Sequence, residues 1–463
     1  MFLQAFVLEQ PYMASFILCL AFFFFYTILG RLHGSPLPRA PRVEYFLPWI
    51  GSALQIRKDP DNFLRRASSK LGPIFRIKAA GQEMTWVTSP ELISAIYRDP
   101  KSFEFLPVRL GITESAFGLP HDLVRTRFYA EDHLPIYHEE LSPKNILNFA
   151  ESYAKNAHAY LSQALEKFDG SCTEPMSFMI LPAYLAAATT FFGTAFEAEK
   201  SYKGFKTFDD QFHVIVTELP NVLMLRAEAS ARDAGWSDRE IAAELGGQLW
   251  ALQANSIFAA YWVLALMLQQ PEGLAALIAE VDQARVDWKT QHPDHLSYEN
   301  QHQWVLDVTL PHLISAIQEA LRFASSSFSQ RRVSKPTDFG GFHFEPGELI
   351  VCATRSVHID DEIHPNPQEF DSKRYMSGQN KFRKNGKIVP NHFLPFGGGI
   401  SMCEGRHFVM GELKIFLASM MTCVTIELNP NSNARPKFIT ERMGAGIMHP
   451  SGDLSIKISK RKD

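Results

Sequence analysis

Of the five cysteines in the chain, Cys19, Cys172, Cys352, Cys403 and Cys423, one stands where a sulfur has chemistry to do. In "FLPFGGGISMCEGRHF" (393–408), Cys403 follows a glycine cluster and precedes a long helical pattern. Glycines let backbone approach a flat object closely, and free N–H groups at a helix start stabilise a thiolate. A lone thiolate with no second cysteine nearby suits one axial bond to a haem iron. Two other readings stay open on these residues. One is an inert buried thiol. The other is zinc, which needs three or four ligands where only His407 lies at a useful offset.

Such a sulfur needs elements to position it. In "QEALRF", Glu319 and Arg322 are spaced i,i+3 on a helix, which alone is an exposed pair of little weight. The run "LWALQANSIFAAYWVLALML" (249–268) is apolar on nearly every face, with Gln253, Asn255 and Ser256 near its centre. It reads as a helix buried against a polar site rather than a second membrane span. Residues 74–89 alternate and are broken by Gly81, as in a hairpin, and helical periodicity dominates from about Glu151 to Leu321. After Phe323 short strands and turns follow. The expected body is mainly α with a smaller β part split between the two ends.

At 463 residues and a formal net charge of −4, the chain can bury a large cofactor and carries no nucleic-acid footprint. Odd, scattered cysteines without a C-x-x-C pair argue against a disulfide framework or a zinc ribbon. Tyr12 to Gly30 is uncharged and long enough to span a bilayer. A cleaved signal peptide fits less well, because Glu9 stands where a basic region belongs. Arg31, Arg39 and Arg42 follow the segment, so the positive-inside rule leaves the body cytosolic. The expected organisation is a single-pass membrane anchor over 1–33, a Pro-rich hinge over 34–50 and one haem-binding domain over 51–463.

Phe396, Gly399, Cys403 and Gly405 resemble the haem-binding signature F-x-x-G-x-x-x-C-x-G of the cytochrome P-450 superfamily. Glu319 and Arg322 are similar to its E-x-x-R helix, and Arg374 in "FDSKRY" to the arginine that completes that ion-pair network. The resemblance runs from the anchor to the C-terminus. It is strongest to the clan of sterol 7α-hydroxylases, sterol 12α-hydroxylases and prostacyclin synthase, through "LPWIGSALQIRKDPDNFL", "LWALQANSIFAAYW" and "ERMGAGIMHPSGD". It implies a fold holding haem b between a long central helix and the cysteine loop, with Cys403 as axial ligand. It also implies a place in the endoplasmic reticulum membrane, NADPH electrons arriving through a reductase, cytochrome b5 as a further donor, and a lipophilic substrate.

The chain departs from the family's pattern in two places. Ser401 stands where most members have an Arg or His that binds a haem propionate, and no W-x-x-x-R is evident near residues 125–138. Arg332, at the position of a family propionate ligand, is the first candidate to replace them, with Arg331 and Arg355 as alternatives. The central helix offers Ala254 and Asn255 where oxygen-activating members carry an acid–alcohol pair. An oxygenase would then relay protons through Asn255, Ser256 and ordered water. Three readings compete: a monooxygenase, a reductase-independent isomerase or dehydratase, and a non-enzymatic haem sensor or carrier. Substrate lining is expected from the central helix, "EFLPVRLGITESAF", "SSSFSQ" and "MGAGIM", and Leu219–Leu225 is read as dipping into the membrane or as a core helix.

Overall fold

The computed structural model describes residues 37–215, 235–295, 302–376, 382–430, 432, 436–452 and 454–461. The expected anchor and Leu219–Leu225 lie outside them. Twelve helices matter to the site: α1 Pro60–Leu71, α2 Pro90–Arg98, α3 Leu106–Phe117, α4 Ile146–Phe168, α5 Pro175–Phe192, α6 Ala198–Ile215, α7 Asp238–Gln253, α8 Ser256–Met267, α9 Pro271–Gln291, α10 Pro311–Ala324, α11 Thr354–His358 and α12 Arg406–Cys423. Their starts are written locally. Asp59 and Ser89 cap α1 and α2 ahead of a first-turn proline, and Ser237 with Glu240 closes a capping box on α7.

The main sheet takes strands from both ends of the chain: β1 Ile74–Ala79, β2 Gln82–Val87, β3 Phe103–Glu104, β4 Phe328–Val333 and β5 Leu349–Ala353, in the order β1-β2-β5-β4-β3. Only the β2/β5 pairing is parallel. The expected hairpin at Gly81 forms with Ala80 and Gly81 both at positive φ (48° and 82°), the backbone twist that a two-residue turn needs. A second sheet places Ile456–Lys460 between Val424–Leu428 and Cys172–Thr173.

Every residue of α8 is buried, against α5, α10 and α12. A helix apolar all round belongs inside a large core, which settles the 249–268 run as core rather than membrane span. The stretch expected to be a hinge is instead docked from Ala40 onward. Its prolines keep it extended, and that lets it pair with β1: Arg76 N–H donates to Pro41 O at 2.7 Å and Val43 N–H to Arg76 O at 2.9 Å.

Candidate active site

The cysteine loop is closed by the Cys403 N–H donating to Phe396 O at 3.0 Å. It lies directly on α2. A Cβ at Gly398 would stand 2.5 Å from the Tyr97 ring, and one at Gly399, whose φ is +69°, would stand 2.6 Å from Tyr97 O. A side chain at Gly398 would have to displace the Tyr97 ring, and one at Gly399 the α2 backbone itself. Gly405 then caps α12 and offers its N–H to the sulfur. Cys403 is reachable by solvent as a residue, yet protein packs densely around the sulfur. Burial, helped by the Glu404 carboxylate, raises the thiol pKa against the opposing pull of the Gly405 N–H, Arg406 and Arg109. The helix start therefore does not make a thiolate unaided, because desolvation outweighs it.

Among the described residues no group of three or more His, Cys, Asp or Glu gathers for a metal ion. His407 is exposed. The donor set at the loop is one sulfur, set behind glycines that keep the backbone flat. That fits the single protein bond a haem iron needs on one face.

Glu319, Arg322 and Arg374 meet in full burial, none more than 3% exposed. Glu319 Oε2 and Oε1 accept from Arg322 Nε and Nη2 at 2.7 and 2.8 Å, and Arg374 Nε reaches both oxygens at 3.0 Å. The remaining guanidinium N–H groups go to carbonyls of His358, Pro365 and Pro367. The network ties α10 to the segment before the cysteine loop. His358, which the sequence did not single out, continues it: its Nε2 accepts the Leu394 N–H at 2.8 Å. Burial holds its pKa well below the usual histidine range, as an accepting, neutral ring requires.

The three candidate arginines part company. Arg332 is exposed and donates to Gly347 O at 3.1 Å. Alternation along β4 sends the next side chain the opposite way, so the arginine brought to the loop is Arg331, which donates to Ser401 Oγ. Arg355 is held by Asp61 at 2.9 Å and by Phe323 O. Arg109 on α3 pairs with Glu404, beside the sulfur, at 2.7 Å. Its stretch was legible as lining, but nothing local marked its partner. Where W-x-x-x-R was sought, Tyr129, His133 and Tyr137 turn instead to Glu244 of α7.

The central helix breaks between α7 and α8, at Ala254 and Asn255. Asn255 Oδ1 accepts the Ile447 N–H at 2.8 Å. Ser326 N–H donates to Gly446 O and Met448 N–H to Ala324 O, so "SSSFSQ" and "MGAGIM" pair, and the latter meets the helix break. Ser256 does not join Asn255. It is buried, donates to Leu252 O at 3.0 Å, and faces Glu412 of α12 together with Tyr153. Successive helical residues point about 100° apart, which separates the expected relay pair. Burial raises Glu412 to about 8, with Ser256 and Tyr153 pulling it back down. Elsewhere α6 contributes Asp209, which accepts from Trp250 Nε1 and Arg442 Nη2 at 2.9 and 2.8 Å. A cavity of about 210 Å³ adjoins it, lined by Phe205, Phe258 and His449 among others and by nothing from the cysteine loop.

The family model "Cytochrome P450" matches residues 41–226 and 217–458. The chain is 26% identical to the cholesterol 7-alpha-monooxygenase of Cricetulus griseus, over 96% of this chain and 97% of that protein. It is 28% identical to the prostacyclin synthase of Homo sapiens, over 89% and 92%. Among solved structures, the cytochrome P450DA heme domain superposes with a TM-score of 0.66 at 16% identity, covering 92% of this chain and 98% of that one.

Proposed function

Because the chain belongs to the cytochrome P450 family and is a P450 monooxygenase in kind, we propose that it inserts one oxygen atom of O₂ into a lipophilic substrate. That substrate is a sterol, a terpenoid or another secondary metabolite, and NADPH supplies the electrons through a reductase. The observation that carries the reading is Cys403, a lone sulfur on a glycine loop that α2 and the Glu319 network hold in place. Haem b bound through that sulfur supplies the oxidising chemistry, the thiolate favouring O–O cleavage.

The remaining roles fall to the chain's own groups. Glu319, Arg322 and Arg374 fix the segment that presents Cys403. The apolar faces of α8 and the paired 325–328 and 444–448 segments exclude water and orient the substrate. Asn255 positions the C-terminal segment through Ile447. Its amide can donate and accept at once but cannot itself supply a net proton. The body stands on the cytosolic face of the endoplasmic reticulum membrane.

The test is product analysis after incubation with reductase, NADPH and a panel of sterols and terpenoids, beside a spectrum of the reduced carbon monoxide complex. Hydroxylated product that requires NADPH is expected, with absorption typical of thiolate ligation that Cys403→Ala abolishes. A histidine-type spectrum in wild-type protein overturns the reading. A second reading draws support from the missing acid–alcohol pair and the prostacyclin synthase likeness: an isomerase or dehydratase acting on a peroxide or an oxime. Turnover with neither reductase nor NADPH would establish it instead.

A further inference from the structure

The cavity beside Asp209 lies away from the cysteine loop and has a polar floor of its own. Its walls are apolar: Met176 and Ile180 of α5, Phe205 of α6, and Ile257 and Phe258 of α8. Lys206 and Asp210, an exposed ion pair at 2.9 Å, stand at its rim. At the bottom Asp209 is only 3% exposed, and its two carboxylate oxygens are used differently. Oδ1 accepts from Trp250 Nε1 at 2.9 Å and from Arg442 Nη2 at 2.8 Å. Oδ2 accepts no hydrogen bond among the described residues; it faces His449 Nε2 across 3.5 Å. A buried carboxylate oxygen without a donor is costly, and this one borders a space that a donor can enter.

Charge and size narrow what that donor is. Asp209 is balanced by Arg442 and Asp210 by Lys206, so an ionised ligand would arrive without a counter-ion of its own. A neutral ligand meets no such penalty. An ionised carboxylate only accepts, so the ligand must bring an N–H or O–H, and the simplest neutral group that does so at the end of a hydrocarbon is a hydroxyl. The volume of about 210 Å³ falls below the roughly 300–1,000 Å³ that holds a drug-sized molecule. The occupant is therefore small and mostly hydrocarbon.

We propose that this cavity is a second ligand site, which binds a small neutral lipophilic alcohol. Its hydroxyl donates to Asp209 Oδ2, and its hydrocarbon part lies among α5, α6 and α8. The site takes no residue from the cysteine loop, so it can be filled while another molecule occupies the space over Cys403.

Full-length, haem-loaded protein is titrated calorimetrically with 1-adamantanol, 1-fluoroadamantane and 1-adamantanamine after 4-phenylimidazole has filled the site over the iron. One equivalent of 1-adamantanol should still bind. The fluoro compound, alike in shape but unable to donate, should bind about tenfold to a hundredfold more weakly. The amine, protonated at neutral pH, should bind no more tightly than the alcohol. Ile180→Phe fills the cavity and should lose this binding while keeping the 4-phenylimidazole spectrum of wild type. If Ile180→Phe does not fold, Met176→Phe makes the same test. Four results would each overturn the proposal: heat that vanishes once 4-phenylimidazole is bound, equal affinity for the alcohol and the fluoro compound, tighter binding of the amine, or unchanged binding by the cavity-filling variant. A protein that takes up no haem defeats the reading of Cys403 and not this one, and the same titrations of wild type and Ile180→Phe without haem then decide.

Discussion

Glu319 and Glu412 are both buried carboxyls, and their surroundings are opposite in kind. Glu319 receives two guanidinium groups; stranding those by its removal would cost about 3–5 kcal/mol. Glu412 faces only hydroxyls, those of Ser256 and Tyr153, with no guanidinium beside it among the described residues, and burial lifts it to about 8. The unfolded chain releases that proton near 4.5. Across the interval the folded state binds more protons, so this group's contribution is complete below about pH 4.5 and is lost as pH rises towards about 8. Buried His358 and His364, both shifted down by desolvation, act the other way and lose stability as pH falls below the ordinary histidine range. A difference between wild type and Glu412→Gln cancels their effect. Urea midpoints at about pH 5 and about pH 8 should show the variant gaining on wild type at the higher value. Parallel behaviour at both would mean that Glu412 is ionised in the folded protein.

At the scale of elements, the break between α7 and α8 is the feature that joins the central helix to the C-terminal segment. Asn255 sits in that break and satisfies Ile447 N–H. An amide whose oxygen is committed in this way is expected to act by positioning. Asn255→Leu leaves the N–H without its acceptor, at a cost of about 1–3 kcal/mol, whereas Asn255→Asp keeps an acceptor there. The expected result is a lower melting temperature for the leucine variant, largely recovered by aspartate. Product formed per NADPH consumed should stay at the wild-type ratio when haem content is matched. A fall in that ratio for Asn255→Leu, without loss of stability, would return Asn255 to proton delivery.

For the whole molecule, the way the chain enters the body bears on its orientation. The segment from Ala40 to Val43 is fixed along β1, at the edge of the main sheet. Phe46 and Trp49, 95% and 68% exposed, lie beside that edge with Arg39 and Arg42 nearby in sequence. Apolar rings beside arginines suit a bilayer interface. With the body cytosolic, protease added to sealed microsomes should digest it down to a short membrane-protected fragment. Complete protection would reverse the topology.

What the sequence determined by itself is whatever backbone geometry and local spacing encode. The glycines before Cys403, the i,i+3 placement of Glu319 and Arg322, the Ala80–Gly81 turn and the all-round apolar character of 256–267 can each be read within a few residues. Their consequences follow from φ limits and helical periodicity. Partnership across the chain was not legible. That Arg331 and not Arg332 reaches Ser401 depends on which face of β4 meets the cysteine loop, and one residue of register inverts the answer. Likewise Asn255 with Ile447, Ser256 with Glu412 and Arg109 with Glu404 are pairs far apart in sequence. Their meeting depends on the rotation of each helix about its own axis. Only close packing of the assembled core decides that rotation, because a turn of one residue would bury a different set of side chains.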